Sequence, residues 1–592
     1  MPQPRTPRRV VSEIRPLPGE TALAATPLAR AMAACRRQLM AVGVFSGVVN
    51  MLQLTVSLYM MQVFDRVLAT RNVNTLVYLT IIAIAALGLL AVLEAVRTRV
   101  MQRIGGWIEA KVAPEGFARA VESQLRGRPY RMEALRDLAT CRTYLGSPAS
   151  LSLFDVPWVP VFLLVIFILH PLLGVVALGG ALILLALTLL NEVATSKLLR
   201  EANSAGLASQ RRAESIVRNA EVIDSMGMLS AVLARWQASV ARTAEPMNRA
   251  LDRGAPLLAL TKFARLAVQV AVLGVGAWLV LEQQLTSGAS IAASIIMGRA
   301  LAPVEQMIGG WRQLVQARQS WKRLQAFLVL PRLRPPGIAL PAPHGHLSVE
   351  RVTFGFPGTN VPVVKGVTFA LEAGESLAVI GPSAAGKTTL IRLLTGTLQP
   401  ASGAVRLDGA DVHAWQREDF GQYVGYLPQD VELFDGTVLD NIARMAEAPA
   451  EAVFDAARLA GCHDMILRLP KGYETEIGEG GQHLSGGQRQ QIGLARAMFG
   501  GPRFVVLDEP NSNLDGDAEG ALLRALHELR RRGTTVVLVS HRPVLVQGVE
   551  KVLLLRDGAV EIFGPRAEVM KRLMKPAQPT PIAAQAGREA QA

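Results

Sequence analysis

Six apolar runs dominate the first 308 residues, near 38–63, 75–96, 155–171, 172–192, 264–284 and 288–308. Each has about the 17–25 residues that a helix needs to cross a hydrocarbon core. In that medium every backbone N–H and C=O must be satisfied within the chain, which makes helices the form open to such runs. The third and fourth are separated only by His170-Pro171, so they predict a tight hairpin. The last two are broken by charge, with Lys262, Arg265, Arg299 and Glu305 in or beside them. Half of the chain is hydrophobic yet only 5% is aromatic, so the apolar surplus is Leu, Val, Ile and Ala, as in lipid-facing helices.

Charge is unevenly divided. Residues 1–342 hold 37 Lys and Arg against 19 Asp and Glu, whereas residues 343–592 hold 25 against 29. The basic surplus therefore belongs to the apolar half. Basic loops facing an anionic inner leaflet explain it better than nucleic-acid binding. Six spans that start from a cytoplasmic N-terminus leave two long Arg-rich internal loops, 97–154 and 193–263. The external connections, 64–74, the His170 turn and 285–287, carry only Arg66 and Arg71 as basic residues. This asymmetry places the C-terminal half in the cytoplasm. The internal loops have few Pro or Gly and read as helices running below the membrane.

The flanks and joints carry less. Residues 1–37 have no apolar signal-peptide core and are expected to be largely disordered, as is the Pro/Ala/Gln-rich stretch 571–592. Residues 331–345 (PRLRPPGIALPAPHG) read as a linker, and His344 and His346 beside it as incidental. Cys35, Cys141 and Cys462 have no metal or redox spacing and read as small buried hydrophobes.

The chemistry lies in residues 346–570. A strand-like ESLAVIG runs into Gly381-Pro-Ser383-Ala-Ala-Gly386-Lys387-Thr388-Thr389 and then a helical LIRLL. This is a phosphate loop in its required setting of strand, glycine turn and helix. Backbone N–H groups wrap phosphates, the helix N-terminus favours negative charge, Lys387 reaches the β- and γ-phosphates, and Thr388 can ligate Mg²⁺. Phe504-Val-Val-Leu-Asp508-Glu509 reads as a strand that delivers two acids at its C-terminal edge, Asp508 to hold Mg²⁺ through water and Glu509 to polarise the attacking water. Leu484-Ser485-Gly486-Gly487-Gln488 offers hydroxyl and N–H donors at a helix start, a second phosphate site.

These last residues match the LSGGQ signature of ABC transporter ATPase domains, and the resemblance covers roughly 346–570. It implies an α-helical six-span exporter domain (38–330) joined to an α/β P-loop ATPase domain. Further roles follow from the resemblance alone. Phe356 matches the aromatic that stacks on adenine, where Tyr is commoner. Gln429 matches the Mg²⁺-touching Gln, Asp515 the loop that contacts the opposite site, and His541 the switch histidine at the γ-phosphate. In the family ATP is sandwiched between two such domains, and one copy of each motif implies a homodimer.

The membrane half carries a second resemblance. Leu58-Tyr-Met-Met-Gln-Val-Phe-Asp65-Arg66-Val-Leu68, YLPQDVELFDGT (426–437), DEPNSNLD (508–515) and SHRP (540–543) look like the branch of type I secretion ABC proteins that exports metalloproteases and lipases. That resemblance implies an inner-membrane exporter of unfolded proteins with an uncleaved C-terminal signal. It also implies a membrane fusion (periplasmic adaptor) protein and an outer-membrane channel as partners. About 37 residues before the first span leave no room for the peptidase-like domain of other branches. An exporter of lipids or small amphiphiles remains the alternative, and a non-transporting membrane ATPase a more distant one. Arg299, about 16 Å along the last span at 1.5 Å per residue, either lines the translocation path or pairs with an acid on another span.

Overall fold

The computed structural model describes residues 26–574, except 128–131, 335–336, 338–339, 357–358 and 360. The expected disorder of 1–25 and 575–592 lies outside the described residues. The chain divides into two compact units between Arg332 and Leu333, inside the Pro-rich stretch.

The first unit is helical. A short helix α1 (Pro27–Ala34) falls within the stretch expected to lack structure, with Pro27 in its first turn and the Thr26 hydroxyl accepting from the Ala29 N–H at 3.1 Å. Six helices long and apolar enough to span a membrane follow: α2 (Arg36–Thr70), α3 (Val73–Leu125), then α5 (Pro148–Leu169) and α6 (Pro171–Val217) after α4 (Glu133–Leu145), then α8 (Leu229–Leu281) after α7 (Ala220–Ser225), and α9 (Ser287–Gly309). A last amphipathic helix, α10, covers Trp311–Val329.

Each apolar run coincides with one of these helices to within three residues, but the helices are longer. At about 1.5 Å per residue, α3 and α8 reach ~80 Å, far beyond a ~30 Å hydrocarbon core, so the Arg-rich internal loops are continuations of the spans. The stretch 64–74 is not a loop either. Helix α2 runs on to Thr70 through a π-helical turn, Val63–Val67, and stops where Arg71 turns left-handed at φ 53°. The hairpin at His170 forms as expected, with His170 Nδ1 accepting from the Leu172 N–H at 3.2 Å.

Small residues let the spans approach. A Cβ on Gly180 of α6 would sit 2.3 Å from Val268 of α8, and Ala293, Met297, Ala300 and Leu301 of α9 pack with Leu173, Leu184, Val272 and Leu279. The most apolar stretch of α9 is 61% buried within this chain against 6% for α3. The last span is thus interior, and its lower hydropathy reflects protein rather than lipid neighbours.

The second unit has two sheets. One is four-stranded, β2-β1-β4-β5 (Val364–Leu371, Leu347–Phe354, Ser402–Leu407, Ala410–Asp411), all antiparallel. The other has the order β10-β9-β3-β8-β7-β6 (Ala559–Pro565, Lys551–Arg556, Ser376–Ile380, Thr535–Val539, Phe504–Asp508, Val424–Leu427), parallel except for the edge strand β10. Strands β7 and β8 are buried at every position, which explains their unbroken apolar sequences, FVVLD and TVVLV. Helices α11 (Lys387–Leu394), α12 (Gly486–Met498) and α13 (Gly516–Arg531) bring the motifs to this sheet. The linker's end is fixed by Asp408, whose carboxylate accepts from the N–H groups of His344, Gly345 and His346 at 2.6–3.1 Å. No His, Cys, Asp or Glu cluster of three or more suited to a metal occurs among the described residues.

Candidate active site

The loop after β3 turns on conformations that side chains resist. Gly381 has φ 153° and Gly386 φ 97°, and a Cβ on Gly381 would lie 2.1 Å from the Leu555 carbonyl oxygen. Ala384, between them, holds φ 63° despite its Cβ, a strain stored in the loop itself. Lys387, the first residue of α11, is 8% exposed, and its Nζ donates to the carbonyls of Gly381 (2.8 Å) and Pro382 (2.9 Å). The loop thus closes around its own ammonium. Burial pushes the Lys387 pKa down, and the carboxylates of Glu509 and Asp508 pull it back up. Ser383 is exposed on the loop, and Thr388 and Thr389 occupy the first turn of α11.

The carboxylate pair closes the far side. Asp508 ends β7 at 1% exposure, and one of its carboxylate oxygens has no hydrogen-bond partner. Burial raises its pKa, the Thr388 hydroxyl lowers it in part, and Glu509 adds a further upward push. Glu509 sits at φ 49°, its N–H given to the Val539 carbonyl at 3.0 Å, which turns the side chain out of the sheet. Its carboxylate accepts from Gln429 Nε2 at 3.2 Å and lies 3.8 Å from His541 Nε2. The structure therefore brings Lys387, Thr388, Gln429, Asp508, Glu509 and His541, drawn from four separate motifs, to one sheet edge.

The signature residues have local jobs as well. Ser485 caps α12 in a reciprocal box: its hydroxyl accepts from the Gln488 N–H at 3.3 Å, and the Gln488 side chain accepts from the Ser485 N–H at 2.9 Å. A Cβ on Gly487 would lie 2.9 Å from the Asn513 carbonyl oxygen, so that glycine is needed for close packing. Asp515 caps α13 through the Ala518 N–H at 2.9 Å. No hydrogen bond joins Ser485 or Gln488 to the phosphate loop among the described residues. Phe356 is 42% exposed and meets Phe354 edge-on at 5.2 Å.

Sequence reasoning missed Gln490. It is 1% exposed, and its Nε2 donates to the Pro510 carbonyl at 3.1 Å, tying the signature helix to the loop after the two acids. A polar residue on the apolar face of GGQRQQIGLARAM is the signal that marks it. The left-handed Ala384 was also missed, and its one sign is an alanine where a loop of this kind favours glycine.

In the membrane unit, Arg299 is exposed and has no ion pair or hydrogen bond among the described residues. The buried pair weighed for it is not formed. The inter-span pair belongs instead to Arg265 and Glu305, at 2.8 Å. A deeper network went unread: Arg97 of α3 meets Asp155 of α5 at 2.6 Å, and Asn50 and Ser46 of α2 join at 2.9 and 3.0 Å. Arg97 and Asp155 are 5% and 7% exposed. Asp65, inside the branch-like string, accepts from the Thr286 hydroxyl (2.7 Å) and the Gly288 N–H (2.8 Å) at the start of α9.

Comparison with known proteins agrees with both halves. The ABC transporter family matches residues 364–512, and the ABC transporter transmembrane region matches 132–302. The type I secretion system ATP-binding protein PrsD of Rhizobium meliloti is 42% identical over 93% of this chain and 95% of its own length. The chain belongs to the type I secretion ABC transporters. More distant members include the cyclolysin secretion/processing protein CyaB of Bordetella pertussis, 30% identical over 87% of this chain and 74% of its own. The alpha-hemolysin translocation protein HlyB of Escherichia coli O157:H7 is 27% identical over 91% and 77%. An ATP-bound bacterial Atm1-family ABC exporter shares the fold with a TM-score of 0.79, at 21% identity over 91% of this chain and 97% of that one. As a type I secretion ABC transporter, the protein is a multi-pass membrane ATPase that binds ATP.

Proposed function

We propose that the protein is the inner-membrane motor that drives type I secretion of unfolded polypeptides bearing a C-terminal signal, working as a homodimer. The observation that carries this reading is a complete hydrolytic set, Lys387, Gln429, Asp508, Glu509 and His541, on a chain that matches a type I secretion protein almost from end to end.

In this reading the phosphates of ATP displace Lys387 from the Gly381 and Pro382 carbonyls, and the N–H groups of Gly381 and of residues 383–389 wrap them. Ser383, Gly386 and Thr389 belong to that wrap, and Phe356 stacks on the adenine. Thr388, Gln429 and Asp508 would hold Mg²⁺, which neutralises phosphate charge when bound. The buried, partnerless oxygen of Asp508 and its raised pKa fit a group made to face a cation. Glu509 orients and takes a proton from the attacking water, and His541 donates toward the γ-phosphate. Ser485, Gly486, Gly487, Gln488 and Asp515 close the other face of the nucleotide in the partner copy. The helices continuing below the spans carry domain closure to the membrane. Arg299, exposed on an otherwise interior helix, faces the central path between the two copies. A periplasmic adaptor and an outer-membrane channel complete the route.

The test is ATPase activity of the lipid-reconstituted protein with and without C-terminal peptides of candidate secreted proteins. A change specific to one peptide and absent for its scrambled form supports the reading. Stimulation by lipids or small amphiphiles, with no response to any peptide, moves the protein to the alternative exporter class.

A further inference from the structure

A groove of about 290 Å³ opens between the first helices, lined by Ala34, Cys35, Gln38, Val100, Arg103, Ile104 and Trp107. Its floor is apolar. Leu28 and Ala31 of α1 and Cys35 pack with Met101, Ile104 and Ile108 of α3, which pins α1 beside the start of α2. Its rim is cationic. No Asp or Glu occurs between Glu20 and Asp65, while Arg30, Arg36 and Arg37 all lie there and are exposed. Arg103 of α3 is the one charged residue that lines the groove itself, Arg36 and Arg37 lie in the chain between its lining residues Cys35 and Gln38, and none of the four guanidinium groups has an ion pair among the described residues.

Depth fixes the setting. Arg103 is thirty residues along α3 from its outer end at Val73, a rise of ~45 Å at about 1.5 Å per residue. A bilayer with its head groups is about 40–45 Å thick. The groove thus lies at the level of the inner head groups. Trp107, 45% exposed there, is the kind of residue that seats at that boundary.

We propose that this groove is a binding site for an anionic phospholipid of the inner leaflet. The phosphate sits at Arg103, in the field of the neighbouring Arg36 and Arg37, and an acyl chain lies along Val100, Ile104 and Trp107. Charge complementarity selects the occupant. The chain's own residues 1–25, with four Arg and two Glu, repel the same rim and are the poorer fit. The site tethers α1 to the leaflet beside the first two spans and is separate from the nucleotide and cargo routes.

The test uses the full-length protein in vesicles of phosphatidylcholine or of phosphatidylcholine with phosphatidylglycerol, each with brominated acyl chains as the quencher. The Trp107 signal is the difference between wild type and Trp107→Phe. The expected result is stronger Trp107 quenching by brominated phosphatidylglycerol than by brominated phosphatidylcholine. Arg36→Gln with Arg103→Gln should weaken that preference by roughly tenfold or more, since each Arg near an anionic surface contributes several-fold. Arg103→Lys should keep most of it, and basal ATPase activity should persist in all three. Equal quenching by both lipids, or a preference that survives the double Gln variant, overturns the proposal. Trp107 quenching that is absent in the full-length protein and appears only after residues 1–25 are deleted shows that the chain covers the groove itself, and this also overturns it. Should the double variant fold poorly, Arg103→Gln alone carries the test: loss of the phosphatidylglycerol preference supports the site, and its survival overturns it.

Discussion

The two units put charge to opposite uses. In the membrane unit, charges are paired: buried Arg97 meets buried Asp155 with Asn50 and Ser46 around it, and half-buried Arg265 meets half-buried Glu305. In the ATPase unit, charges are left poised. Lys387 rests on carbonyls, Asp508 keeps a buried oxygen without a partner, and Glu509 is held at a left-handed backbone angle between Gln429 and His541. The first pattern holds helices together, and in the proposed mechanism the second keeps binding capacity in reserve for phosphate and metal. What marks the chemical site is the convergence of acids and bases from four motifs at one sheet edge; a partnerless buried atom alone does not, since Arg97 Nε has no hydrogen-bond partner either.

The comparison breaks most visibly at Glu509. Glu509→Gln should lower the rate of hydrolysis by at least ~100-fold while ATP binding remains, and it should accumulate an ATP-dependent dimer visible by size-exclusion chromatography. Recovery of the variant only as monomers in ATP would contradict the sandwich arrangement. In the membrane unit the matching change acts on folding. Arg97→Ala should destabilise by about 3–5 kcal/mol, because it leaves Asp155 charged and buried. Arg97→Met with Asp155→Leu should recover most of that loss, read as the melting temperature in detergent.

A pH titration sharpens the contrast further. Burial holds the Asp508 carboxyl above its ordinary value, so the folded chain favours the protonated form. That contribution is fully stabilising below the ordinary carboxylate pKa and is lost as pH rises through the raised value. Asp508→Asn should therefore melt higher than wild type at neutral pH without nucleotide or metal, with the gap closing in acid, although hydrolysis is lost. The smallest effect belongs to Ala384. Ala384→Gly relieves the left-handed strain but adds freedom to the unfolded chain, so stability should move by less than ~1 kcal/mol. A larger loss would show that the Ala384 methyl packs on something the loop needs.

How much of this was legible in the sequence follows the same division. The phosphate loop, the two acids after FVVL and the LSGGQ cap depend on local order, so the first was located by its spacing and the other two with the help of their resemblance to the ABC ATPase motifs. The six spans were equally readable, because hydropathy over about 20 residues is a local property. Contacts between distant residues were not. Arg97 and Asp155 are 58 residues apart, and each alone reads as the charged edge of a span. The inter-span acid for α9 pairs with Arg265 rather than Arg299, a choice set by which faces of α8 and α9 meet. The continuation of α2 through 64–70 was hidden because Asp65 and Arg66 look like an exit from the membrane, whereas the Asp65 carboxylate caps the start of α9.

The most direct measurement places this chain, a candidate adaptor and channel, and a cargo with an intact C-terminal signal in a bacterial strain lacking its own type I exporter, and follows cargo in the medium. The account predicts secretion with wild type, none with Glu509→Gln, and none when the cargo's last segment is removed. Cargo that leaves the cell equally well with Glu509→Gln, or without its C-terminal segment, would contradict an ATP-driven, signal-dependent protein exporter.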